Sequence, residues 1–337
     1  MLKLKGFRFF ILFLFLISLP IVVWAGEQFP SKTIEIVVPY GPGGGADMTS
    51  RGIWEQAGKE MGFNVIFNFM PGGVAMVGLA HVMDQPADGY TIYEASGSDI
   101  VLGEIFGRTK YSIEDLDYLG SPVFATSAIH TRTDSKWENI QQVIDYGKEH
   151  PKEKMPIAAA DRLGIDEIFI ITFNKGVGIK GGLFKFVPFP SSGERHATVL
   201  GGHVDFLSDE VGDCAGKGRY ENNQIRTLVI NGKLRAEHIP FLEGVPCTEE
   251  IGIEIASFIG NWRTFAVKKG TPPEIVDYLR KVVKVGYDLP FWQDLLEKNY
   301  MNIRAGESYQ TGEECLDRLR LEKDRFTEIL KEEGYIQ

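Results

Sequence analysis

The sequence predicts an α/β fold in two domains, with sheets assembled from βαβ units. Three observations predict it. Strand-like and helix-like segments alternate along the chain, the pattern of crossover connections between parallel strands. The 337 residues exceed one ordinary domain. No repeat, low-complexity stretch or long linker separates two halves, so the domains must share closely packed crossing strands. The composition, 44% hydrophobic and 24% charged, is that of a globular chain rather than a disordered one.

The elements follow in order. Thr33 to Val38 is apolar enough to read as a buried strand. A glycine-rich turn follows, and Asp47 is expected to cap a helix running from Met48 to Met61, with Ile53, Ala57 and Met61 on one face. Gly62 ends that helix. Asn64 to Phe69 is a second strand, Pro71-Gly72-Gly73 opens another turn and helix, and Tyr90 to Glu94 is a third strand after the Asp88-Gly89 turn. In the middle, Ser135-Lys136-Trp137-Glu138 reads as a capping box opening a helix before Pro151. Strands are expected at Met155 to Ala159, Phe184 to Pro188, Val204 to Leu207 and Ile225 to Ile230, with helices at Asp166 to Phe173 and Glu194 to Leu200. The chain closes with a strand at Arg263 to Val267 and a helix from Thr271-Pro272-Pro273-Glu274 to about Leu289. Helices near Phe291 to Asn299 and Ser308 to Glu333 follow; the charge run from Arg318 to Glu333 is expected to be a solvated helix face.

The first 25 residues read differently. Lys3, Lys5 and Arg8 precede an apolar run from Phe9 to Val23, and Val23-Trp24-Ala25 carries small residues where a signal peptidase reads. This is a secretory signal, with cleavage expected after Ala25. A run of fifteen residues, broken by Ser18 and Pro20, is short for a membrane span, which takes about 20, and no cysteine is placed for a lipid anchor. The whole chain carries 36 basic and 46 acidic residues, a net charge of −10. Loss of three basic residues with the signal takes it to about −13. Nucleic acid is therefore not an expected partner, since phosphate binding needs a basic stripe. An exported chain also has no ready supply of ATP or NADH.

The densest cluster among 38 glycines is Gly41-Pro42-Gly43-Gly44-Gly45-Ala46-Asp47, between a strand and a helix start. Such a loop can turn tightly and present backbone N–H groups to an anion, with help from the helix N-terminus. A P-loop fails because no Gly-Lys-Ser/Thr follows. A dinucleotide fingerprint fits loosely through Gly41, Gly43 and Ala46, but the strand ending at Met70 and Pro71 offers no ribose-binding acid. A carboxylate receptor needs only the backbone donors, and a tight turn without a ligand needs none.

Catalytic signals are weak. The six histidines form no metal-binding motif, and Ser98-Asp99 and Ser191-Ser192 are not nucleophile elbows. Cys214, Cys247 and Cys315 are too few and too scattered for a disulfide framework and read as free thiols. No cofactor and no metal are expected.

Several segments together resemble the tripartite tricarboxylate transporter receptor family, also called Bug-type extracytoplasmic solute receptors. They are Phe29-Pro30-Ser31-Lys32, Val38-Pro39-Tyr40 with the glycine loop, Pro71-Gly72 with Val77-Gly78, and Asp88-Gly89-Tyr90-Thr91-Ile92. Further along come Leu200-Gly201-Gly202-His203-Val204-Asp205, Gly232-Lys233-Leu234-Arg235, and Trp262 with Gly270-Thr271-Pro272. Each match is weak; their order and spacing across the chain are specific.

The resemblance implies a type II periplasmic binding protein: two Rossmann-like lobes joined by crossing strands, with a cleft between them. Residues 26–126 plus 259–337 would form one lobe and 127–258 the other. It implies a monomeric receptor, not an enzyme, that captures a small carboxylate by lobe closure and delivers it to a two-subunit membrane permease in the periplasm. The ligand loop would be Tyr40, Gly41, Pro42, Gly43, Gly44 and Gly45, with Asp47 behind it. Ser96 and Ser98 would line a second loop and Asp209 a third. In the second lobe Ala160-Asp161-Arg162-Leu163-Gly164 departs from the small-residue loop of relatives. There Arg162 is expected either to pair with the ligand, as a guanidinium can, or to make an ion pair with Asp161 or Asp166. Ser191 and Ser192 stand where relatives are glycine-rich and could donate hydroxyls or merely cap the next helix at Glu194. An exported hydrolase on an α/β frame and a solute-sensing subunit of a signalling system are the alternatives; the first lacks a visible nucleophile–base pair.

Overall fold

In the computed structural model two five-stranded sheets organise the chain between Lys32 and Gln337. The structure describes residues 29–159, 162–189, 192–236, 239–254, 259–301 and 309–337; the expected signal and its cleavage site lie outside them.

The first sheet has the order β2 (Val65–Phe69), β1 (Ile34–Val38), β3 (Thr91–Ser96), β10 (Asn261–Lys268), β4 (Leu116–Ala125). β1 pairs in parallel with β2 and β3, and its residues are buried except for partly exposed Glu35, as expected of a strand covered on both faces. The second sheet has the order β7 (Phe184–Pro188), β6 (Met155–Ala159), β8 (Phe206–Glu210), β5 (Ser127–Arg132), β9 (Ile225–Ile230). β6 pairs in parallel with β7 and β8.

One strand in each sheet breaks the expected parallel order. β10 runs antiparallel to β3 and β4, and β5 antiparallel to β8 and β9. The reason is topological. β4 leaves the first sheet at Ala125, and only Thr126 separates it from β5 in the second. A strand that enters a sheet from the ends of its parallel strands must run against them.

The helices are α1 (Gly45–Ser50), α2 (Gln56–Met61), α3 (Met76–Asp84), α4 (Gly97–Ile105), α5 (Ile140–Glu149), α6 (Ile165–Val177), α7 (Ser192–Leu200) and α8 (Val211–Gly216). After β10 come α9 (Pro273–Asp288), α10 (Pro290–Lys298) and α11 (Gly312–Glu332). A π-helical turn at Arg51–Glu55 joins α1 to α2 and buries Gly52, Ile53 and Trp54. A Cβ on Gly52 would collide with the Trp292 ring, so α10 can lie against this turn only over a glycine.

Three start signals are corrected. The helix after the glycine loop begins at Gly45, not Met48, with Gly44 at its cap position. α5 is capped by Asn139, which accepts from the Gln142 N–H at 3.0 Å, four residues beyond the expected box. Thr271 does not cap α9; its hydroxyl donates to the Lys268 carbonyl, and Pro273 opens the helix. The charge run of α11 is not wholly solvated either. Glu322 is buried, accepting from Trp262 Nε1 at 2.8 Å, Ser98 Oγ at 2.9 Å and Arg318 Nε at 3.0 Å. The three cysteines are free and buried. Among the described residues no helix is long and apolar enough to cross a membrane.

Candidate functional site

The carboxyl ends of β1, β3, β4, β6 and β8 meet the starts of β5 and β10 along one seam. The registers show it: Ser96 at the end of β3 faces Arg263, Ala125 at the end of β4 faces Asn261, and Glu210 at the end of β8 faces Ser127. Ligands of open α/β sheets bind beyond the carboxyl ends of parallel strands.

Arg263 stands at the middle of this seam. Its Nη1 lies 3.4 Å from Glu94 of β3, and its Nη2 lies 4.0 Å from Glu210 of β8. One guanidinium thus joins a carboxylate from each sheet. Its Nη2 is also 3.1 Å from where a Cβ on Gly45 would stand, and its Cζ lies 5.7 Å from the Tyr40 ring centre. The glycine at the helix start is what lets this arginine close up to the loop. Glu94 is fully buried, and its carboxyl Oε2 has no partner among the described residues.

Burial pushes Glu94 up to about 7 against the opposing pull of Arg263. Burial does the same to Glu210, also to about 7, again with Arg263 opposing. For Arg263 burial works against the charge, but Glu94 and Glu210 outweigh it and hold the guanidinium above its ordinary value. The Tyr40 phenol is raised well above its usual value by burial and then by Asp99, to which it donates a hydrogen bond.

The expected site residues divide. Gly41, Pro42, Gly43 and Gly44 form an exposed loop, and Gly43 takes φ +82°, a left-handed conformation that favours glycine. Its N–H donates to Asp47 Oδ2 at 2.9 Å, while Asp47 Oδ1 accepts from Arg51 Nε at 2.6 Å. Asp47 is therefore a brace on the loop rather than the helix cap: it sits in the first turn and consumes one backbone donor. Ser96 is buried at the seam, and its hydroxyl has no partner among the described residues. Ser98 is turned into the core, fully buried on Glu322. Asp209 is buried and saturated, accepting from Arg195 Nη2 at 3.1 and 3.2 Å, from the Glu210 N–H at 2.9 Å and against His196 Nε2 at 3.0 Å. An acceptor so occupied orients Arg195. Arg162 is exposed, and its charge acts on the Tyr335 hydroxyl. It makes no ion pair or hydrogen bond with Glu94, Glu210 or Arg263. Ser191 lies outside the described residues, and Ser192 opens α7.

His196, Asp209 and Asp213 converge with ligand atoms within 4.8 Å of one another. Arg195 pairs with Asp209 and Lys217 with Asp213, so these carboxylates already carry cations of their own. His196 is raised: burial works against its charge and the bonds to Asp209 and Asp213 outweigh it.

Sequence reasoning missed Glu94, Glu210 and Arg263. The signal was present for two of them, since Glu94 and Arg263 are charges in the interior of largely buried strands. A buried charge there requires a partner. Nothing local marked Glu210 as its second partner.

The chain matches the family described as tripartite tricarboxylate transporter family receptor over residues 49–333. A Cupriavidus necator protein of the UPF0065 group is 26% identical over 299 residues, 88% of this chain and 87% of its own. The fold is similar to that of MatC from Rhodopseudomonas palustris solved with bound malate, with a TM-score of 0.75 and 19% identity over 90% of this chain and 100% of that one. It is similar also to an R. palustris protein solved with adipate, with a TM-score of 0.75 and 20% identity over 91% of this chain and 99% of that one. A two-sheet α/β fold whose strand ends meet at one seam, with a family match over most of its length, makes this chain a member of the tripartite tricarboxylate transporter family of receptors.

Proposed function

We propose that this receptor captures a small carboxylate at the seam between two lobes, residues 26–126 plus 259–337 and residues 127–258, and delivers it to a two-subunit membrane permease. In this reading it acts as a monomer outside the cytoplasm, after cleavage behind Ala25, and performs no chemistry on its ligand. The observation that carries the proposal is Arg263, which joins Glu94 of the first sheet to Glu210 of the second directly beneath the glycine loop. A guanidinium in that place can meet a carboxylate with two parallel hydrogen bonds. The first-turn N–H groups from Gly45 onward have no partner within the helix and add donors from the loop side.

Closure follows from the same geometry. A ligand can shift a hinge equilibrium only by contacts that differ between the open and closed forms. Glu94 and Arg263 belong to one sheet and Glu210 to the other, so contacts that need all three exist only when the lobes approach. The malate and adipate of the solved neighbours support a carboxylate as the ligand class. The test is small-angle X-ray scattering of the mature protein with and without a carboxylate that binds. The radius of gyration is expected to shrink on binding; an unchanged scattering curve at saturation contradicts capture by closure.

A further inference from the structure

Two carboxylates, Glu94 and Glu210, face one guanidinium, Arg263, at the seam, and further acids act on them from nearby, Asp99 on Glu94 and Asp209, Asp213 and Asp166 on Glu210. Glu94 is fully buried with Oε2 unpartnered, and Ser96 and Ser127 bring two more buried hydroxyls without partners among the described residues. Residues directly opposite in an antiparallel pair project to the same face. Ser96 is opposite Arg263 and Ser127 is opposite Glu210, so both hydroxyls lie on the faces that carry the charged groups. A buried carboxylate oxygen and two buried hydroxyls are acceptors that need a donor, and an excess negative charge in a buried place needs a cation.

We propose that Glu94 and Glu210, with Ser96 and Ser127, form an ammonium subsite, so that this receptor selects ligands carrying an amino group beside their carboxylate. This deepens the carboxylate reading and rests on it. Arg263 and the backbone at Gly44 and Gly45 hold the carboxylate, and the two glutamates hold the ammonium from opposite lobes. The subsite is then complete only when the lobes are together, which makes the amino group a closing contact as well as a selective one. A ligand with carboxylates alone would bring further negative charge against Glu94 and Glu210. Burial already resists ionisation of both, raising each to about 7 against the pull of Arg263.

Isothermal titration calorimetry of the mature protein at pH 8 tests this with matched probes. The pairs are succinate and aspartate, glutarate and glutamate, adipate and 2-aminoadipate, and 3-phenylpropionate and phenylalanine. In the pair that fits best, the amino acid is expected to bind at least about tenfold more tightly than its amine-free partner. Glu94→Gln and Glu210→Gln keep the shape and remove one charge each; either should erase that difference by weakening the amino acid alone. If amine-free acids bind as tightly as their partners or more so, the ammonium subsite is overturned while carboxylate capture stands. If no probe of either kind binds, the carboxylate reading fails and takes the subsite with it. The wild-type comparison decides between these outcomes even where a glutamine variant does not fold.

Discussion

Arg263 and Glu210 meet across the two sheets, with Nη2 4.0 Å from the carboxylate, although β10 and β8 lie in different sheets. The same guanidinium holds Glu94 at 3.4 Å within its own sheet. A small set of charges thus ties the halves of the molecule together where the glycine loop ends, and the predictions follow from it.

Arg263→Met removes the guanidinium and keeps much of the volume. Truncating one partner of a buried charge pair costs about 3 kcal/mol, roughly a hundredfold in affinity. Binding of the best carboxylate probe is expected to weaken by that factor in calorimetry, and Arg263→Lys should restore only part of it, because an ammonium cannot make the two-pronged contact.

Gly45→Ala separates positioning from stability. The new Cβ would stand 3.1 Å from Arg263 Nη2, the far end of a flexible side chain, which must then move. Alanine is also a better helix former than glycine. The melting temperature should therefore change by no more than the equivalent of about 1 kcal/mol, while affinity falls about tenfold. A variant with unchanged affinity would remove Gly45 from the ligand site.

Ser98→Ala probes the opposite case. Its hydroxyl is bonded to buried Glu322, so its loss should cost about 1–3 kcal/mol of stability, read by urea unfolding. The dissociation constant for a carboxylate should not move. A large loss of affinity with unchanged stability would return Ser98 to the cleft.

The two raised glutamates give stability an unusual pH dependence. Their folded-state values lie near 7, above the ordinary 4.5, so the folded protein holds more protons than the unfolded chain between those limits. Their contribution is complete below about 4.5 and is lost as pH rises through about 7. The ligand-free protein should melt at a lower temperature at pH 8 than at pH 5.5, and Glu94→Gln with Glu210→Gln should flatten that difference. A wild-type profile matching the double variant would contradict the burial of these acids.

Much of the fold was legible because strands such as Ile225–Ile230 and Phe184–Pro188 are short, mostly apolar segments bounded by turn residues. The glycine loop was legible because Gly43 occupies a conformation that favours its residue type. Helix starts were less so: Asn139 caps α5 where a nearer Ser-x-x-Glu pattern pointed elsewhere. The direction of β10 was not legible, since it depends on which edge of the sheet the returning chain enters. The charged centre was half legible. Glu94 and Arg263 stand out as charges in strand interiors, but they are 169 residues apart and Glu210 belongs to the other sheet, so only folding shows that they share one site. Asp209 misled for the same reason, because its partners Arg195 and His196 come from α7.

The most direct test of the account is a thermal-shift screen of the mature protein against small carboxylates, with and without an amino group, alongside sugars and divalent metals. A ligand that binds only the folded form raises the melting temperature by mass action. At least one carboxylate is expected to produce a clear upward shift, and Arg263→Met to abolish it. A shift with a sugar or a metal but with no carboxylate, or a carboxylate shift that survives Arg263→Met in full, would contradict it.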